Sequence, residues 1–296
     1  MYTHVIVPFD GEEQSRRAAG LGADLSHRFD SRLVVVMATN SDKSAALLKE
    51  KAQNISDGKV DVWVEPNNRP VDAIATTVKF RPRSLVVMAT SARQGVRRAV
   101  YGSVAEAVVR RVDVPVMLLG PHFPGWDVTD IRQLLVCVDG SATAQSALPL
   151  AVQWAQRLEL PIVLFNAHRP DEEGTAPADL ESLADLLEPA VARVEIRQVV
   201  TKDPTTSILG ELKPASHTLA VMTTHARSGV DRQRRGSQVM RVVERSKLPV
   251  LVQRAGVKLS AATATPAAVS APAVEPAHAL VDELGEWSTS WSVDQA

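Results

Sequence analysis

Residues 85–119 are written twice in this chain, and the repetition limits the folds open to it more than any other feature. In the first copy the apolar run Leu85, Val86, Val87 and Met88 passes into Ala89-Thr90-Ser91-Ala92. A basic loop with Arg97 and Arg98 follows, then Gly102-Ser103, a helical pattern to Val112, and Val114-Pro115-Val116-Met117-Leu118-Leu119. The second copy reads Leu219-Ala220-Val221-Met222, Thr223-Thr224-His225-Ala226, a loop with Arg232, Arg234 and Arg235, Gly236-Ser237, a helical pattern to Arg245, and Leu248-Pro249-Val250-Leu251-Val252. Met88 and Met222, Gly102 and Gly236, and Pro115 and Pro249 are each 134 positions apart. A constant offset held through so many residue types is a duplication, so two like domains are expected.

Upstream of each copy the pattern alternates strand and helix. Val5-Ile6-Val7-Pro8-Phe9 is a short buried strand that ends at the turn pair Asp10-Gly11, and Ala18, Leu21, Gly22 and Leu25 then recur at helical spacing. The continuous apolar run at 33–37 suits a parallel sheet covered on both faces. A lysine-bearing helix at 45–53, an alternating strand at 60–64, and a helix opening on Pro70 in its tolerated first turn complete the unit. Residues 135–138 with Asp139-Gly140 repeat residues 6–9 with Asp10-Gly11 at an offset of 129, and residues 162–165 repeat 33–36 likewise. The second copy therefore carries extra residues before its third strand, and the acidic, proline- and glycine-bearing segment 169–177 is the expected surface loop.

The fold class these units define is α/β: two tandem Rossmann-like domains, each an open five-stranded parallel sheet with helices on both faces. The expected boundaries are residues 1–120 and 133–254, with 121–132 as linker. Residues 255–296, rich in alanine and proline, bury too little apolar surface to offset ordering entropy and are expected to be disordered. Within them Leu280, Leu284, Trp287 and Trp291 form a helical stripe suited to docking on the body or on a protein partner.

Composition narrows the function. A formal net charge of −1 gives no global field to draw nucleic acid or an anionic membrane. The single cysteine, Cys137, lies in an apolar run and has no partner for an internal disulfide, which fits a reducing compartment. No charged leader precedes Val5, and no run reaches the ~18 apolar residues that span a bilayer, so a cytoplasmic protein is expected.

In a doubly wound sheet, ligands bind beyond the carboxyl ends of the strands, where neighbouring crossovers leave to opposite faces. The chain places Asp10, Ala38, Ala89 to Ala92, and Gly102-Ser103 there. Ser103 with Glu106 reads as a capping box whose outward amides could meet a phosphate; Met240 takes the glutamate's place in the second copy, leaving Ser237 to cap alone. Both aspartates also suit plain turns, the arginine runs suit solvated loops, and His225 has no nucleophile or carboxylate at a telling distance.

The order strand, Asp-Gly, strand, M-[A/T]-T-x-A, basic loop, Gly-Ser, helix, V-P-V-x-[L/V] resembles the universal stress protein family, twice over, across about 1–119 and 133–254. ATP-binding members typically show G-x2-G-x9-G-[S/T] after the fourth strand. Here the first copy has Ala89, Ala92, Gly102 and Ser103 in that spacing, and the second has Thr223, Ala226, Gly236 and Ser237. The resemblance implies ATP or another adenine nucleotide as ligand, weakened by loss of two glycines per copy, with the first site the better of the two. It places Asp10 and Asp139 near ribose hydroxyls, and Pro8, Phe9, Cys137 and Val138 beside adenine. Met88 and Met222 lie opposite, and Ala38 and Val104 complete the first cradle. It also implies that the last strands pair as an internal pseudodimer, with scope for further self-association, and that the chain is a regulatory module with no catalytic residues and no metal. Two other readings remain: an interaction scaffold without nucleotide, and an ATP-hydrolysing or adenylate-forming enzyme, disfavoured because Asp10-Gly11-Glu12-Glu13 lacks a glycine-serine pyrophosphate loop.

Overall fold

The computed structural model describes residues 1–39, 41–53, 60–65, 69–90, 102–125, 127–169, 179–224 and 238–256. The tail stripe, the loop at 170–177, both basic loops, and the site candidates Ala92, Ala226, Gly236 and Ser237 lie outside the described residues.

The first half runs β1 (His4–Pro8), α1 (Glu13–Arg28), β2 (Arg32–Ala38), α2 (Asp42–Gln53), β3 (Val60–Glu65), α3 (Pro70–Lys79), β4 (Ser84–Ala89), α4 (Ser103–Arg111) and β5 (Val116–Leu119). The second runs β6 (Gln133–Cys137), α5 (Ala142–Gln145), α6 (Leu148–Leu158), β7 (Ile162–His168), α7 (Leu180–Leu187), β8 (Val194–Val200), α8 (Pro204–Glu211), β9 (Thr218–Thr224), α9 (Gln238–Arg245) and β10 (Val250–Arg254). Each half orders its strands 3-2-1-4-5, and the two five-stranded parallel sheets join edge to edge into ten strands. The joint is antiparallel: Val250 faces Leu118, Leu251 faces Met117 and Val252 faces Val116. Both last strands are apolar and fully buried at the joint, so the pairing removes two edges that would otherwise invite aggregation.

Strand alternation splits the core into two apolar layers, and each layer runs through both halves. Val5, Val7, Leu85, Met117, Trp154 and Leu164 belong to one. Ile6, Val86, Leu118, Val163, Val242 and Val250 belong to the other. The helix after the first strand differs between halves. In the first it is one continuous α1; in the second, Pro149 near the start of α6 lacks the amide a continuous helix would need, and the chain restarts there as α5 and α6.

The segment expected as a linker is strapped down. Phe123 is fully buried, Gln14 Nε2 donates to Pro121 O at 3.1 Å, and Arg17 donates to Phe123 O at 2.6 Å. Composition marks the turn residues of this stretch, but not that one phenylalanine anchors it beneath α1.

Candidate functional site

In the first half β1 and β4 are neighbours, and the chain leaves them toward different sides, which opens a cradle above their carboxyl ends. Alternation decides which side chains line it. Ala38, Met88 and Val104 pack in the layer that includes Ile6, and Pro8 shares that face with Ile6. Met88, 4% exposed, lies on that face at the end of β4. Phe9 and Ala89 point into the opposite layer, so they offer a ligand only backbone.

Gly102 is the N-cap of α4, with φ +73° and ψ 20°, a left-handed conformation natural to glycine. That geometry corrects the capping-box expectation. Ser103 sits one residue inside the helix, exposed, and makes no cap bond. Glu106 instead donates its amide to Gly102 O at 2.7 Å and pairs its carboxylate with Arg110 at 3.7 Å. The serine hydroxyl is thus not consumed by the helix end, and the positive end of the helix macrodipole opens at the cradle.

Thr90, missed as a site residue, positions this corner. It is 2% exposed; its amide and hydroxyl both donate to Leu119 O, at 2.8 and 3.1 Å, and its methyl lies under Gly102. The signal was present, since threonine recurs at 90 and 224 in both copies. The second half also contributes to the corner: a Cβ on Gly102 would come 2.5 Å from Met240 Cε of α9.

Asp10 is exposed at the strand end, and its Oδ1 accepts from Glu12 N at 3.1 Å, the turn use. Asp139 is more fully engaged. Its Oδ1 accepts from Ser141 N at 3.0 Å and from Ser141 Oγ at 2.5 Å.

In the second half Cys137 and Ala167 occupy the positions of Pro8 and Ala38, and Met222, 5% exposed, that of Met88. Burial pushes the Cys137 thiol up to about 12, so at neutral pH it is a small apolar wall and not a nucleophile. Thr223, 8% exposed, stands where the first half has Ala89. A polar network replaces Met37 and Thr39 at the end of β7: Asn166 Nδ2 donates to Val138 O at 2.8 Å, His168 Nδ1 contacts Asn166 Oδ1 at 2.9 Å, and Gln198 Nε2 donates to the same oxygen at 3.4 Å. Among the described residues no group of three or more histidine, cysteine or acidic side chains could hold a metal.

Strand order, the antiparallel joint and a cradle at each switch point define the class: a tandem Rossmann-like protein of the adenine nucleotide alpha hydrolase-like type. The universal stress protein family model matches residues 37–120 and 130–254, and the chain belongs to that family. Universal stress protein Rv2005c of Mycobacterium tuberculosis is 27% identical over 184 residues, 57% of this chain and 61% of that protein, so the match leaves over a third of the relative's length uncovered. Universal stress protein MJ0531 of Methanocaldococcus jannaschii is 23% identical over 40% of this chain and 82% of its own length. The crystal structure of a universal stress protein from Archaeoglobus fulgidus superposes over 86% of this chain and 96% of its own, with TM-score 0.67 at 20% identity. A putative universal stress protein from Pseudomonas aeruginosa covers 86% and 94%, with TM-score 0.57 at 17% identity. These likenesses carry the fold.

Proposed function

We propose that the chain is a regulatory universal stress protein whose first half binds ATP or another adenine nucleotide and whose second half is chiefly a structural and interaction module. The observation that carries this is the left-handed Gly102 ahead of Ser103 at the start of α4, on the cradle face shared with Pro8, Ala38, Met88 and Val104. Small apolar side chains suit an adenine face, while the helix amides and the Ser103 hydroxyl suit phosphate oxygens. Asp10 has a second carboxylate oxygen for a ribose hydroxyl.

The second cradle fits the scaffold reading better, because Asp139 is tied into its turn. A bound nucleotide would bring its own charged phosphates, and the cradle residues would orient it. We read the module as cytoplasmic and without turnover; no described helix is long and apolar enough to cross a membrane.

Calorimetric titration with ATP and magnesium is the test. Binding of one nucleotide per chain, together with a raised Tm, supports the reading, since a ligand of the native state stabilises by mass action. Two equal sites would overturn the asymmetry, and no heat or shift at millimolar ATP would leave the scaffold reading for both halves. Steady phosphate release lost in Asp10→Ala would make the protein an enzyme.

A further inference from the structure

The ten-stranded sheet ends in β3 on one side and β8 on the other, and the two edges are built differently. On β8, Ile196 is 43% exposed, Val199 38% and Val200 62%. Its inner side bonds to β7: Arg193 O accepts from Ile162 N, and Thr201 N donates to His168 O. In a parallel strand the inward and outward peptide groups alternate, so the amides and carbonyls of Val194, Ile196, Gln198 and Val200 point outward. No backbone partner for that edge occurs among the described residues.

Exposed branched residues on a regular seven-residue edge form a template for another strand. The charge pattern selects which strand. An antiparallel, two-fold pairing of β8 with itself, centred on Ile196, sets Glu195 opposite the second copy's Arg197, and Arg197 opposite its Glu195. These fall at the closely spaced positions where cross-strand side chains interact best. Within one chain Glu195 pairs with Arg193 and with Arg197, each at 3.0 Å, and Arg197 pairs also with Glu211 at 2.6 Å, so two copies would join these ion pairs into one network of alternating charges across the axis. Centring on Arg197 would oppose two guanidiniums, and centring on Gln198 would leave Glu195 opposite an uncharged Thr201. The other edge disfavours the same step: about Trp63, Asp61 would face the second copy's Glu65, and Arg81 already covers the Trp63 ring at 5.6 Å.

We propose that two copies of this chain associate through antiparallel pairing of β8 about Ile196, extending the ten-stranded sheet into a continuous sheet across a two-fold axis. This inference is independent of the nucleotide reading.

The test is sedimentation equilibrium of the full chain over a concentration series, with circular dichroism and Tm confirming that each variant is folded. Wild type is expected to sediment at twice the chain mass. Ile196→Lys and Ile196→Glu, which place like charges against each other on the axis, should each sediment as monomers, and their equimolar mixture should recover the doubled mass. Val199→Lys, opposite the second copy's Arg193, should lose the dimer, whereas Val199→Glu should keep it. Monomeric wild type, a dimer that survives Ile196→Lys, a mixture that stays monomeric, or equal behaviour of the two Val199 variants would each overturn the proposal.

Discussion

At Gly102 two constraints meet in one residue, and they can be separated. Alanine there must hold a left-handed φ at a cost of about 1 kcal/mol, and its Cβ must also displace Met240 Cε. Gly102→Ala is therefore expected to lower Tm and to weaken the ATP-induced shift. In Gly102→Ala with Met240→Ala the steric part disappears, so the measured interaction energy should favour the double variant; strict additivity would refute the contact. Cys137 makes a pH prediction. Its folded pKa lies above the ordinary 9.0, so it favours the fold while protonated, and that contribution is complete below pH 9.0 and lost as pH rises toward 12. Burial raises Tyr2 as well, adding to alkaline sensitivity above its ordinary 10.0. Denaturant unfolding of Cys137→Ala should show a shallower loss of stability across this range than wild type. The Gly-Ser pair was legible as letters, but not which of the two residues ends the helix. Ser103 with Glu106 satisfies the capping-box pattern one position too far into the helix, and only backbone φ reveals the glycine as cap.

Among the elements, α1 and α6 meet through an aromatic cluster that spacing could not forecast. Trp154 stands edge-on to Phe29 at 5.0 Å and to Tyr2 at 6.4 Å, and its Nε1 donates to Tyr2 Oη at 2.8 Å. Arg157 of α6 donates to Arg28 O at the end of α1, placing a cation at the negative end of that helix. On the other side Arg254, just past the joint, donates to Arg110 O at the end of α4 and pairs with Asp113. Its counterpart at the 134 offset is Gly120, where a Cβ would come 2.0 Å from Val243 O, so the same place holds a reaching arginine in one half and bare backbone in the other. Tyr2→Phe leaves a buried indole N–H unpaired and should cost about 1–3 kcal/mol in chemical denaturation. Trp154→Ala should cost about 3–5 kcal/mol. If instead Tyr2→Phe proves neutral, the hydrogen bond between the halves contributes nothing net. Nine of the ten strands, the helices of the first half and α9 could be read from local patterns, whereas β8 and the helices from α5 to α8 were implied only by the duplication. Contacts between residues more than a hundred positions apart were legible only where the family resemblance implied them, as at β5 and β10.

For the molecule as a whole, the shared layers matter more than the duplication that produced them. Residues Met1–Ser260 form one compact unit, and both apolar layers cross the joint without a polar break. Separating the halves would bare the β5 and β10 edges, the Trp154 pocket and the backbone contact at Gly120 together. The loss of any one of these weakens the others, so the two halves are expected to unfold together. Near- and far-ultraviolet circular dichroism should therefore report one coincident unfolding transition in urea, with a single midpoint that Trp154→Ala moves as a whole. The sequence led to two domains with a linker, paired through their last strands as an internal pseudodimer, but it did not show the burial of Phe123 in that linker. Phe123 and the antiparallel strand pair are the contacts on which the expectation of a single transition rests. Nucleotide bound in the first cradle would then raise the stability of both halves by the same mass-action term, and probes placed in the second half should register it in full. A second-half signal that melts separately, or that ignores ATP while the first half responds, would show that the joint transmits no stability.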